Sequence, residues 1–169
     1  MRRAGDGGPQ LLGPGTTRWL GLSGGKLRGF YNRLYRQLRG STAPTTIVLH
    51  LGSNDILDIP VKVIKRLVRE TFKVTRQMLP RCKLLWSDIL PRLFWWPELR
   101  PGVGDEIRIE INAYARKLCT VNSSHNLAMV HHPTISQTDP SLYVRDGVHL
   151  SPKGFEILRD DWVRALLVV

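Results

Sequence analysis

The run Thr46-Ile47-Val48-Leu49-His50-Leu51, followed at once by Gly52-Ser53-Asn54-Asp55, constrains this chain more than any other feature. Six consecutive residues, mostly apolar and β-branched at the start, form the pattern of a strand buried on both faces. Such strands belong to parallel sheets covered by helices, so the segments on either side should be helical. They are. Phe30, Leu34 and Leu38 recur at helical spacing before the strand, predicting a helix from Lys26 to Leu38. After it, Val61, Ile64, Leu67, Val68, Phe72, Thr75 and Leu79 mark one helix face, with Asp58 as the expected N-cap and Pro80 as the stop.

The alternation continues. Lys83–Ile89 reads as a second strand. A Pro-rich loop with Trp95-Trp96 follows, and those two indoles either rim a cleft or pack back on the core. Ile107, Ile111, Tyr114, Ala115 and Leu118 mark a third helix, and Leu127–Val130 a short strand. The loop from His131 to His149 is long for a compact domain, as functional loops often are. Ser151 and Pro152 suit the N-cap and first residue of a closing helix bearing Phe155, Leu158, Trp162 and Leu166. Arg18–Leu22 is a weaker strand candidate running into Ser23-Gly24-Gly25. The expected fold class is α/β, a three-layer α/β/α sandwich with a parallel sheet. Ligands in such folds bind beyond the carboxyl ends of the strands.

A length of 169 residues suits one domain. Residues 1–17, dominated by Gly and Pro, read as a disordered lead-in, and 18–169 as the folded domain. Cys82 and Cys119 are too few for a disulfide framework and lack metal-ligand spacing, so reduced thiols and a cytoplasmic location are expected. No apolar run reaches membrane-spanning length and no secretory leader is visible. Adjacent His131 and His132 point in different directions and make a poor metal pair.

Two segments carry chemistry, and both follow strand or loop ends. In Gly52-Ser53-Asn54-Asp55 the glycine permits a tight turn, from which Asn54 can aim its amide at a developing oxyanion. The plain alternative is an ordinary turn, since Gly, Asn and Asp dominate turns. In Asp146-Gly147-Val148-His149, the aspartate can accept the imidazole Nδ1–H across a turn and fix the tautomer of a general base. Here the plain alternative is a surface turn with a helix cap.

Together, in this order on an alternating α/β pattern, the two segments resemble the SGNH hydrolases, also called GDSL esterases and lipases. Gly52, Asn54 and Asp55 match that family's Gly-x-Asn-Asp block, and Asp146 and His149 its Asp-x-x-His block. Gly21-Leu22-Ser23-Gly24 is similar to its earlier glycine block. The resemblance implies a flavodoxin-like sandwich with a five-stranded parallel sheet and hydrolysis of a small acyl ester. It makes His149 the base, Asp146 its orienting partner, and Asn54 with Gly24 the oxyanion donors. It implies no cofactor and no metal.

The sequence departs from the family where its nucleophile should stand. The family carries a serine in Gly-Asp-Ser after the first strand. This chain offers only Gly5-Asp6-Gly7, with no apolar strand ahead of it. The first strand of the family is therefore expected to be missing along with the serine, and the activity impaired. Ser23 and Ser53 are poor replacements, being turn hydroxyls. The formal charge of +11 leaves a second reading open. Lys26, Arg28, Arg33, Arg36 and Arg39 fall on the first helix and Lys62, Lys65, Arg66, Arg69, Lys73 and Arg76 on the second. These are either solvated faces or a weak polyanion contact made by a non-catalytic binding module. Some retroelement proteins carry domains similar to SGNH esterases, which would suit nucleic acid as that polyanion.

Overall fold

A computed structural model describes residues 17–97, 100–121 and 126–168. The expected lead-in at 1–17 and Gly5-Asp6-Gly7 fall outside the described residues, apart from Thr17. Four α-helices and three strands alternate in the described chain: α1 Phe30–Leu38, β1 Thr46–Leu49, α2 Val61–Met78, β2 Lys83–Ser87, α3 Val103–Val121, β3 Leu127–Val130 and α4 Pro152–Val168. The sheet is parallel throughout, in the order β1-β2-β3.

Strand side chains alternate between faces, and this divides the core in two. Leu84 and Trp86 of β2 join Ile64, Val68 and Phe72 of α2 and Ile111, Ala115 and Cys119 of α3. Leu85 turns the other way, with Val130 of β3, onto Leu158 and Trp162 of α4. The result is the expected three-layer sandwich, with α2 and α3 on one face and α4 on the other.

Three expectations need correction. Arg18–Leu22 forms no strand, so the described sheet has three strands and β1 pairs with β2 alone. Trp19 instead anchors the segment by packing on Trp162, ring centroids 5.5 Å apart, while Leu20 and Leu22 stay exposed. No ladder to a described strand forms along the segment, so it is not extended in a sheet. Asp58 is also not the α2 cap. That position is Pro60, and Asp58 pairs with Lys26 at 2.9 Å. Likewise α1 begins only at Phe30, after Gly29 at φ 81°, rather than at Lys26.

At the start of α4 the local reading holds. Ser151 Oγ accepts the Gly154 N–H at 3.3 Å, and Pro152 is the first helical residue. Gly154 is required there: a Cβ would stand 2.2 Å from the Leu142 carbonyl oxygen.

Candidate active site

The β1 strand ends in a turn that only glycine makes comfortably. Gly52 has φ 106°, and an added Cβ would also press on Ile89 Cδ1 at 3.0 Å. Asp55 N–H closes the turn onto the Gly52 carbonyl at 3.1 Å. The turn then grips the glycine loop ahead of α1 at two points. Asn54 Nδ2 donates to the Gly25 carbonyl at 3.1 Å, and buried Asp55 Oδ2 accepts the Leu27 N–H at 2.9 Å. Desolvation raises the Asp55 pKa, opposed by that backbone hydrogen bond. Gly24, at φ 65°, therefore sits in a loop tied directly to Asn54.

The orientation of the Asn54 amide is fixed by its neighbours. Arg92 Nη2 donates to Asn54 Oδ1 at 2.9 Å and to Ser53 Oγ at 2.8 Å. Flipping the amide would set NH₂ against guanidinium and carbonyl against carbonyl, so the carbonyl must face Arg92. One Nδ2 proton is committed to Gly25; the second has no partner among the described residues.

On the facing loop, His149 Nδ1 lies 2.7 Å from Asp146 Oδ2. Asp146 Oδ1 accepts the backbone N–H groups of Val148 at 2.8 Å and His149 at 2.9 Å. The imidazole contact, then these backbone donors, hold the Asp146 pKa down at about 2. The carboxylate keeps the proton on Nδ1 and leaves Nε2 as the acceptor, the tautomer a general base needs. The His149 side chain is 78% exposed, so solvent and small molecules can reach it. Gly147, at φ 66°, brings the loop against the Arg92–Phe94 segment, where Leu93 N–H donates to the Gly147 carbonyl at 2.8 Å. The Asn54 and His149 turns thus share the Arg92 loop as a common wall.

No hydroxyl of a described residue completes this pair. Among the described residues none is hydrogen-bonded to His149 Nε2; Ser53 is engaged by Arg92, and Ser23 is exposed in its turn.

A serine does meet a histidine elsewhere, where sequence reading had not placed one. Ser87, the last residue of β2, has Oγ 2.7 Å from His132 Nε2, and His132 Nδ1 is 2.8 Å from Asp161 Oδ2. Trp162 Nε1 donates to the same Oγ at 2.9 Å, and His50 Nδ1 lies 2.9 Å away. Proton accounting follows from Asp161. His132 carries its proton on Nδ1, so Ser87 donates to Nε2 and accepts from Trp162 and His50. Every bond of this serine is used inside the core, and its exposure is zero. The constellation has the connectivity of a hydrolytic triad but no access for substrate. Burial lowers the pKa of His132, and that of His50 to about 4, so both rings are neutral near pH 7.

His131 and His132 diverge, His131 reaching Asp88 at 2.7 Å instead. The two indoles divide as well: Trp95 is buried under the Arg92 guanidinium, whose carbon is 4.8 Å from the ring centre, while Trp96 is 90% exposed. A cleft of about 460 Å³ runs past Asp88, Arg108, Arg116 and His131, but it contains neither Asn54 nor His149. Among the described residues no group of three or more His, Cys, Asp or Glu side chains is placed to hold a metal ion, and no helix is long and apolar enough to cross a membrane.

No family model matches the sequence, and no curated protein does. Solved structures do match. A GDSL-like lipase from Bacteroides thetaiotaomicron is 18% identical, with 85% of this chain and 71% of that one covered at a TM-score of 0.68. A carbohydrate esterase of family 3 from Talaromyces cellulolyticus is 17% identical, covering 92% and 76% at 0.64. A psychrotrophic esterase from Pseudoalteromonas, inhibited by monoethylphosphonate, is 18% identical, covering 85% and 72% at 0.59. The fold of this chain is therefore the SGNH/GDSL hydrolase fold.

Proposed function

We propose that the cleft between the Asn54 turn and the His149 loop is an SGNH-type esterase site of which this chain presents the base and oxyanion halves. His149 is the general base and Asp146 its orienting partner; Asn54 and the Gly24 loop face the oxyanion. The observation that carries the reading is the Asp146–His149 pair at 2.7 Å, solvent-open and with Nε2 unengaged among the described residues. The substrate class is a small acyl ester. With no hydroxyl on Nε2 among the described residues, the acyl-transfer route lacks its nucleophile there, and loss of that group in a serine hydrolase costs about a million-fold. Among the described residues this leaves attack by water activated by His149, and it is slow.

The 169-residue chain should hydrolyse p-nitrophenyl acetate no faster than its H149A variant. Measurable turnover abolished by H149A would overturn the inactivity. The ester cleft itself is tested by diethyl pyrocarbonate labelling read residue by residue by mass spectrometry. A short acyl ester should protect His149 while leaving exposed His131 reactive; equal labelling of His149 with and without ester would refute the site.

One observation favours a second, non-catalytic reading. On α2, Lys62, Arg69, Lys73 and Arg76 have no ion-pair partner among the described residues, whereas Lys65 and Arg66 pair with Glu110 and Glu70. A phosphate backbone would suit that face, with affinity falling steeply in salt. Single-stranded nucleic acid binding that ignores salt, or is lost with H149A, would count against it.

A further inference from the structure

We infer that Arg92 makes the cleft an anion-binding site, so that its ligand or substrate carries an oxyanion group, carboxylate or phosphate, seated on the Arg92 guanidinium beside Asn54. The inference rests on reading this cleft as the functional site, not on whether the chain hydrolyses anything.

Arg92 is held on three sides. Its Nη2 protons go to Ser53 Oγ and Asn54 Oδ1, and its plane lies over Trp95. Two of five N–H donors are thereby used, leaving three unengaged among the described residues. Both partners are neutral acceptors. No carboxylate of a described residue lies within ion-pair distance; Asp146 acts on Arg92 only at longer range, and its own carboxylate is committed to His149 and two backbone N–H groups. Half-buried cations are ordinarily paired, because desolvation is costly without a counter-charge. That cost is visible in the Arg92 pKa, which desolvation lowers despite Asp146.

Position gives this cation, without a carboxylate partner among the described residues, a purpose. It stands at the wall shared by the two catalytic-type turns, and its neighbour Leu93 is hydrogen-bonded to Gly147 of the His149 loop. A rigid, aromatic-backed guanidinium with open donors is well suited to planar or tetrahedral oxyanions, which accept its N–H groups in pairs. A merely structural strut would need the two turn contacts but not donors left open, and a charge left without a carboxylate, among the described residues.

The test is titration of the purified chain with inorganic phosphate and, separately, with acetate, followed by calorimetry and by the His149 imidazole NMR signals. At least one anion should bind and shift His149, and whichever binds tighter identifies phosphate or carboxylate as the natural group. R92Q should lose binding at least tenfold, R92K should lose less, and R81Q, exposed in the turn before β2, should bind normally. A thermal melt of each variant shows whether it is folded. If R92Q melts cooperatively and binds as wild type does, the inference fails. It fails equally if neither anion binds the wild type, or if R81Q loses as much as R92Q, since that would mark diffuse charge attraction. Absence of esterase turnover bears on the hydrolase reading alone.

Discussion

Replacing Ser87 by alanine removes one oxygen and no apolar volume, so its cost is almost purely that of broken hydrogen bonds. In the wild type that oxygen serves Trp162 Nε1 at 2.9 Å, His132 Nε2 at 2.7 Å and His50 Nδ1 at 2.9 Å. Half-buried His50 can turn to water. His132 and Trp162 cannot, because their exposures are 8%. Two buried polar groups are left without partners, at about 1–3 kcal/mol each, which centres the loss near 4 kcal/mol. For a chain of this length that lowers Tm by about 8–16 °C. Urea unfolding should show a lower midpoint at unchanged slope. A double-mutant cycle sharpens the claim: W162F should cost less in the S87A background than in wild type, since the orphaned indole N–H is then removed. A loss below about 1 kcal/mol, or additive mutations, would refute the proton assignment made for this serine.

The same core sets a pH response. The folded His50 pKa of about 4 lies below its ordinary 6.5, so between these values the unfolded chain binds more protons. Stability is full above pH 6.5 and falls toward pH 4, by up to about 3 kcal/mol; urea titrations at pH 7.5 and 5 with no difference would contradict it. G154A should cost about 2–3 kcal/mol, because its Cβ meets backbone at the Leu142 carbonyl rather than a movable side chain; thermal melting checks this. N112A should cost about 2–4 kcal/mol, since Asn112 binds both the N–H of Ile89 at 2.9 Å and its carbonyl at 3.0 Å inside the core; denaturant midpoints measure it. For Asp146, whose folded pKa is about 2 against an ordinary 3.8, the carboxylate NMR titration should lie near the lower value and return toward the ordinary one in H149A.

Local chemistry was legible and long-range chemistry was not. The β1 run, the Gly52 turn and the Asp146-to-His149 turn each lie within a few residues, so spacing alone indicated their geometry. The Leu127–Val130 strand was legible because an apolar run between polar loops has few alternatives. Arg92 gave no such signal. It sits in an aperiodic Pro- and Trp-rich loop, and its contact to Asn54 spans 38 positions. Asp161 falls beside Trp162 on α4, where an acid reads as the polar edge of an amphipathic helix; only β3 and the sheet bring His132 to it. Arg18–Leu22 misled because alternating bulk suggests a strand, while the pairing partner that decides the matter is invisible locally.

Among the described residues, three Asp–His pairs of closely similar geometry occupy the carboxyl end of this sheet: Asp146–His149 at 2.7 Å, Asp88–His131 at 2.7 Å and Asp161–His132 at 2.8 Å. Distance therefore selects nothing. The Asp161 pair is the only one with a serine on the second imidazole nitrogen, and it is sealed in the core, where Trp162 and His50 saturate that serine. The Asp88 pair is open but faces a cleft that excludes the Asn54 turn. Among the described residues, only the Asp146 pair combines an exposed imidazole with a wall shared by an amide turn and a guanidinium lacking a carboxylate partner. What singles out this site is the combination of access and neighbouring charge, and the consequence is specific. If the cleft acts on a ligand at all, Arg92 should govern which ligand is held and His149 what happens to it, so substitutions at the two positions should separate binding from turnover.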